Sequence, residues 1–269
     1  MTYNKFFFDH IYKAGGTTLE RIFQKILGHE KVTPGLVEKA KNAIKNYRHY
    51  AMITGHFWFM PNEKMDFDRY YLTMLPMLRH PIDRILSHYF FAKYDVSARG
   101  SNLAVELAKT MPLDEYVFND HPQISEIIEN FQTRHYLQME WNGSDQLTAD
   151  NQLKFAKKTL LLHYNLVGVF HQLPEFVDIL CYECGWPPVE EIPRVNVTSK
   201  RQKLSEVDPK IIRRLEELNQ LDIALYEYAT QLFNEKKRQI LHECIERRHQ
   251  EICNSPTPLP SLQDNPRCV

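Results

Sequence analysis

Lys5-Phe6-Phe7-Phe8-Asp9-His10-Ile11-Tyr12-Lys13-Ala14-Gly15-Gly16-Thr17-Thr18-Leu19-Glu20-Arg21-Ile22-Phe23-Gln24-Lys25-Ile26-Leu27-Gly28 changes its hydrophobic period partway along, and that change decides the fold class. Lys5 to Tyr12 is dense in Phe, Ile and Tyr, the signature of a buried strand. Gly15 and Gly16 supply a tight turn. From Thr17 to Leu27 the apolar residues Leu19, Ile22, Phe23 and Ile26 recur at spacings of three and four, which predicts a helix that Gly28 is placed to stop. A strand, a glycine loop and a helix in that order form the first half of a βαβ unit.

The loop has a chemistry of its own. Backbone N–H groups and the hydroxyls of Thr17 and Thr18 at a helix N-terminus attract phosphate-like anions, and glycines let the backbone come close to their oxygens. An ordinary ATPase loop carries its lysine after the glycines, whereas Lys13 precedes them here. A plain glycine turn with an exposed lysine is the alternative, and the loop alone does not choose between them.

Outward from this segment the same alternation continues. Helix is expected over Leu36–Tyr47, strand over Tyr50–Thr54 ending at Gly55-His56, and strand within the apolar run Tyr70–Leu78. Pro81 suits the first turn of a helix over Ile82–Tyr94. Val96 to Asn102 reads as a loop, Pro112 to Glu140 as short helices, Asn151–His163 as a helix, Leu166–Val169 as a buried strand and Leu173–Cys184 as a helix. Two amphipathic helices near Pro209–Asn219 and Leu221–Arg248 end the folded part, and 1–254 is expected to form one domain. Residues 255–269, with four prolines, are expected to be a disordered tail. The pattern predicts an α/β fold with a parallel sheet.

A second anchor for anions lies in Arg79-His80-Pro81-Ile82-Asp83-Arg84-Ile85-Leu86-Ser87. An arginine ends a strand, and Ser87 sits roughly 9 Å along the following helix from Pro81. A guanidinium fork and a hydroxyl so placed can grip one phosphate together if this helix starts beside the first loop.

These two segments resemble the two phosphate-binding elements of the sulfotransferases, a Lys-x-Gly/Ala-Ser/Gly-Thr-Thr/Ser loop and an Arg-x-Pro-x-x-Arg-x-x-Ser element. Gly55-His56 resembles the Gly-His of heparan and related polysaccharide O-sulfotransferases. Leu166-Val167-Gly168-Val169 is similar to a late strand of that group. Val197-Thr198-Ser199-Lys200-Arg201, with Leu225-Tyr226-Glu227-Tyr228-Ala229 and Phe233, resembles its C-terminal cofactor loop and helix. The likeness covers about residues 5 to 240, with Tyr12 standing where the family usually has proline and Gly16 where serine is common.

The resemblance implies a P-loop-like three-layer sandwich, a central parallel sheet flanked by helices, and transfer of a sulfuryl group from 3′-phosphoadenosine 5′-phosphosulfate (PAPS) to an acceptor hydroxyl, releasing 3′,5′-bisphosphoadenosine (PAP). By the same implication Lys13 neutralises the leaving phosphate. The amides of Ala14, Gly15, Gly16, Thr17 and Thr18 cradle the 5′ side, Arg79 and Ser87 take the 3′-phosphate, and Thr198 and Arg201 close over the donor. His56 is the expected base, with His10 in reserve; a histidine matches proton removal near neutral pH. His80 and Arg84 are expected to be structural. Trp58, flanked by Phe57 and Phe59, suits either a sugar-stacking wall or the core. Gln132 and Arg134 are candidates for positioning the acceptor, with a solvated face as the alternative; Glu126 and Glu129 share that ambiguity.

Composition bounds the rest. A chain of 269 residues, 43% hydrophobic, can bury one substantial core. A formal net charge of −1 argues against general capture of nucleic acid or an anionic membrane, so any anion must be met locally. No stretch approaches the roughly 18 apolar residues of a membrane span. Five cysteines, all in the C-terminal third, give no disulfide framework, and a cytoplasmic location follows as the expectation. Cys181 and Cys184 have the spacing of half a zinc site without a second half, so no metal is expected. The lack of an anchor would fit a bacterial enzyme or a trimmed chain. A glycan, a glycolipid or a small alcohol are all open as acceptor. The competing classes are a nucleotide kinase, which the absence of Gly-Lys-Ser/Thr disfavours, and a non-enzymatic nucleotide-binding protein.

Overall fold

Three consecutive phenylalanines with no polar side between them require cover on both faces, and the chain provides it. Phe6, Phe7 and Phe8 are all buried in β1 (Phe6–Asp9), an inner strand of a parallel sheet. In this computed structural model the described residues are 5–9, 11–33, 49–55, 72–95, 103–137, 140–141, 146–193 and 200–254. The expected helix over Leu36–Tyr47 and loop over Val96–Asn102 lie outside them, as do His10, His56, Phe57, Trp58, Phe59, Thr198 and the tail 255–269.

After β1 the chain forms α1 (Gly16–Leu27), β2 (Met52–Gly55), β3 (Thr73–Leu78) and α2 (Pro81–Tyr94). Four short helices follow: α3 (Leu103–Thr110), α4 (Leu113–Val117), α5 (Pro122–Ile128) and α6 (Phe131–Leu137). Then come α7 (Ala149–His163), β4 (Gly168–Val169), α8 (Leu173–Cys184), α9 (Pro209–Leu218) and α10 (Gln220–Cys253). The sheet has the order β2-β1-β3-β4, every pair parallel, and helices flank it. This is the α/β class expected from the alternation of strands and helices.

Packing follows the sequence periods. α1 buries Leu19, Ile22 and Phe23, and Phe23 meets Phe8 edge to face at 5.7 Å. Trp186, just beyond α8, lies 4.9 Å from the Phe6 ring and 6.4 Å from that of Phe23, so the end of α8 closes over the same apolar cluster. Thr33 ties the return from α1 to β2: its hydroxyl donates to the Thr54 carbonyl at 2.9 Å and accepts from the Thr54 N–H at 2.7 Å.

Two details concern the pairing of the sheet. Pro76 cannot donate to a sheet ladder, yet it sits inside β3. The strand pairs with β1 from Thr73 to Pro76 and with β4 only from Met77 onward, so the proline stands where the pairing changes sides. β4 is also shorter than Leu166–Val169. Asn165 takes over the earlier pairing, its backbone N–H donating to the Met74 carbonyl at 2.9 Å and its side-chain oxygen accepting from the Met74 N–H at 2.7 Å. Gly168 continues from there with no room for a side chain, since a Cβ would lie 2.5 Å from Met77 Cε and 2.7 Å from the Phe176 ring.

The chain divides into two compact units, Met1–Phe233 and Asn234–Val269. In the first, α10 buries Leu225, Tyr226, Ala229 and Phe233. In the second, the helix is mostly exposed, with Leu241, Ile245 and Ile252 among its exposed residues. Among the described residues no helix is long and apolar enough to cross a membrane.

Candidate active site

The strand order places the site before any side chain is considered. From β1 the chain crosses to β2 on one side, whereas β3 lies on the other side of β1 and leads on to β4. The carboxyl ends of β1 and β3 therefore flank the point where the winding reverses, the place where open parallel sheets bind ligands. The glycine loop leaves β1 there and Arg79 leaves β3 there.

The loop is held in a shape few sequences accept. Lys13 has φ 65° and Gly15 φ 87°, both left-handed, and the Ala14 N–H donates to the Ile11 carbonyl at 3.2 Å. The Gly15 carbonyl accepts the first helical bonds, from Thr18 and Leu19. Glycine is needed at 15 for a second reason: a Cβ there would stand 2.6 Å from Phe170 Cδ2.

Arg79 joins the two ends. Its Nη1 donates to the Lys13 carbonyl at 2.7 Å and to Ser87 Oγ at 3.3 Å, while Nε donates to Asp83 Oδ2 at 2.5 Å. The Phe170 ring lies 4.3 Å from the guanidinium carbon, so one phenylalanine packs against both Gly15 and Arg79. Arg201 reaches the same carboxylate from the other side, its Nη2 donating to Asp83 Oδ1. Lys13 Nζ stands 3.7 Å from the centre of the Phe91 ring. Burial, then the nearby Arg79 charge, lowers the Lys13 ammonium to about 8. Lys13, Arg79 and Arg201 thus lie close to one another, with Asp83 the carboxylate that both arginines bond. Such a concentration of cations at a helix N-terminus and a sheet switch point suits a multiply charged anion.

Arg79 is braced from behind. Its backbone N–H donates to Gln132 Oε1 at 3.0 Å and its carbonyl accepts from Gln132 Nε2 at 2.8 Å. Gln132 is fully buried, so its amide serves Arg79 and is not placed to contact an acceptor as expected from the sequence. Arg134 is half-buried. Its Nε donates to the Glu129 carbonyl at 3.1 Å and its Nη2 to that of Glu126, which closes the end of α5.

The helix that carries Gln132 is fixed by exchanged caps. Buried Asp222 accepts from the N–H groups of Gln132 and Thr133 at 3.0 and 2.7 Å, while Asn130 Oδ1 accepts from those of Leu221 and Asp222 at 3.0 and 3.1 Å. Each side chain caps the other's helix. Asp9, at the end of β1, is likewise buried and accepts from Tyr164 Oη at 2.5 Å, with His135 Nε2 at 2.8 Å. α6 therefore meets the carboxyl ends of both strands. Arg84, expected to be structural, is fully buried; its Nη2 donates to the Ile127 carbonyl at 2.6 Å and it stacks on Phe131 at 4.5 Å.

Lys13, Arg79, Ser87 and Arg201 are thus brought together, with Ala14 to Thr18 forming the loop and helix start beside them. His56, Trp58 and Thr198 lie outside the described residues. The sequence reading missed Asp83, Phe170 and Asp222, and it singled out His135 only beside Gln132 and Arg134, without its link to Asp9 and Tyr164. Only Asp83 had a local signal, an acid four residues after Arg79 on a helix. Among the described residues no three His, Cys, Asp or Glu side chains are grouped as metal ligands would be.

Comparison with known proteins adds family-level information. Residues 2–229 match the model of the sulfotransferase family. A heparin sulfate O-sulfotransferase of Drosophila melanogaster is 25% identical over 209 residues, covering 71% of this chain and 56% of that protein. The chain spans about half the length of this curated relative.

Proposed function

We propose, from the premise that the chain belongs to the sulfotransferase family, that it transfers a sulfuryl group from PAPS to a hydroxyl of a carbohydrate. One observation carries the donor assignment. Arg79 bonds the Lys13 carbonyl at 2.7 Å and Ser87 at 3.3 Å, so the loop after β1 and the arginine after β3, which we assign to the two phosphate-bearing ends of one nucleotide, are in direct contact. The carbohydrate acceptor rests on likeness to the heparin sulfate O-sulfotransferase.

In this reaction the acceptor oxygen attacks sulfur in line, the bond from sulfur to the 5′-phosphate oxygen breaks, and the acceptor proton passes to a base. His56 is the base we assign, with His10 in reserve. Lys13 balances the charge that grows on the departing phosphate, and the amides and hydroxyls of Ala14 to Thr18 hold the 5′ side. Arg79 and Ser87 hold the 3′-phosphate, and Thr198 and Arg201 close the donor site. The chemistry as written requires no metal.

The test is calorimetric titration with PAP followed by an acceptor screen with labelled PAPS. Micromolar PAP binding and label on a glycan are expected. Failure to bind PAP overturns the donor assignment, and label appearing only on small alcohols or lipids overturns the acceptor.

A further inference from the structure

Asp83 poses a problem of sign. An anion site is built from cations, and a carboxylate inside it should repel the ligand. Yet its side chain is only about one-third exposed and both oxygens are engaged: Oδ2 by Arg79 Nε at 2.5 Å and Oδ1 by Arg201 Nη2, while Arg201 Nη2 also reaches the Asp83 backbone carbonyl at 3.3 Å. Burial alone would raise the Asp83 carboxyl, but the two arginines hold it below the usual range, so it stays ionised.

The geometry gives Asp83 a use that outweighs the repulsion. A guanidinium can swing about its long side chain, and its value to a phosphate depends on which edge it presents. Asp83 fixes the Nε edge of Arg79, while Lys13 and Ser87 take Nη1. Among the described residues Nη2 takes no hydrogen-bond partner, and it is the donor left for a ligand. The same carboxylate draws in Arg201, 118 residues further along the chain, and so ties residue 201 to the first turn of α2.

We propose that Asp83 is a positioning residue for donor binding: it orients Arg79 and recruits Arg201, so that both guanidinium groups are set for the 3′-phosphate before the nucleotide arrives. This rests on the donor assignment above, and it opposes the simple electrostatic expectation in sign. If orientation governs, Asp83→Asn weakens PAP binding; if repulsion governs, removing the negative charge tightens it.

The experiment titrates PAP into the full chain carrying Asp83→Asn, Asp83→Glu, Arg201→Gln, or Asp83→Asn with Arg201→Gln, with melting temperatures measured alongside. Asp83→Asn should weaken PAP binding roughly tenfold, the worth of one charge-assisted hydrogen bond. The KM for PAPS should rise while kcat at saturating donor is kept. Asp83→Glu, which keeps the charge, should recover part of the affinity. The double variant should lose less than the two single losses combined, because both remove the same contact. Equal or tighter binding by Asp83→Asn, or full additivity with Arg201→Gln, overturns the proposal while leaving the donor assignment standing. A wild-type protein that does not bind PAP overturns both.

Discussion

The two halves of the proposed donor site are built by opposite means. The half after β1 is made of backbone: left-handed Lys13 and Gly15, a turn closed by Ile11, and the start of α1, all within residues 11–19. The half after β3 is made of side chains brought from far away, with Arg79 held by Asp83 and Ser87 on its own helix, by Gln132 from α6, and by Asp222 acting through Gln132 from α10. The backbone half is held by its own local bonds, from Ala14 to Ile11 and from Thr18 and Leu19 to Gly15, whereas a side-chain site is rigid only while its distant braces hold. Damage to the first half should therefore act on the chemistry or the local fold, and damage to the second should act on affinity.

The largest expected effect is that of Lys13→Ala. Removing the charge proposed to balance the leaving phosphate should lower kcat by about 100- to 1,000-fold, the range for a lost transition-state electrostatic contact, with no loss of melting temperature. Near-normal turnover would remove Lys13 from the chemistry.

Gly15→Ala attacks the same half through the fold. A side chain at φ 87° is strained and would press on Phe170, so a loss of about 2 kcal/mol and a melting shift of roughly 4–8 °C are expected. Thermal unfolding with and without PAP measures it, and an unchanged melting temperature would mean that the loop is not held in this conformation.

Gln132→Ala sharpens the contrast from the other half. It leaves the Arg79 backbone amide unbraced without touching a ligand, so PAP affinity should fall by about tenfold while kcat at saturating donor holds. A fall in kcat at constant affinity would instead return Gln132 to the acceptor side.

The smallest effect is a pH dependence. Unliganded Lys13 loses its proton near pH 8, and a bound anion favours the charged form. PAP affinity should be flat below about pH 8 and decline above it by at most about tenfold per pH unit, with proton uptake on binding visible as a buffer-dependent heat near pH 9. Arginine at position 13 should abolish that decline. The sign for stability is the reverse: the folded-state value lies below the ordinary 10.5, so the unliganded protein gains stability from this group as pH rises from about 8 towards 10.5.

The sequence by itself determined the strand–loop–helix unit, because Phe6 to Leu27 carries both hydrophobic periods and the glycines between them, and these are local properties of the chain. It also pointed to Lys13, Arg79, Ser87 and Arg201, through motifs whose members lie close together along the chain or through family likeness. It did not determine that Gln132 faces Arg79 rather than an acceptor, that Phe170 packs on Gly15, or that Asp222 caps the helix of Gln132 from 90 residues away. α3 escaped notice as well, since Ala104 and Ala108 become core only where neighbouring helices cover them. These facts belong to the tertiary structure, for a physical reason. A buried hydrogen bond between distant segments leaves no periodic trace in either one, and its partner is chosen by which surfaces the packed sheet and helices bring together.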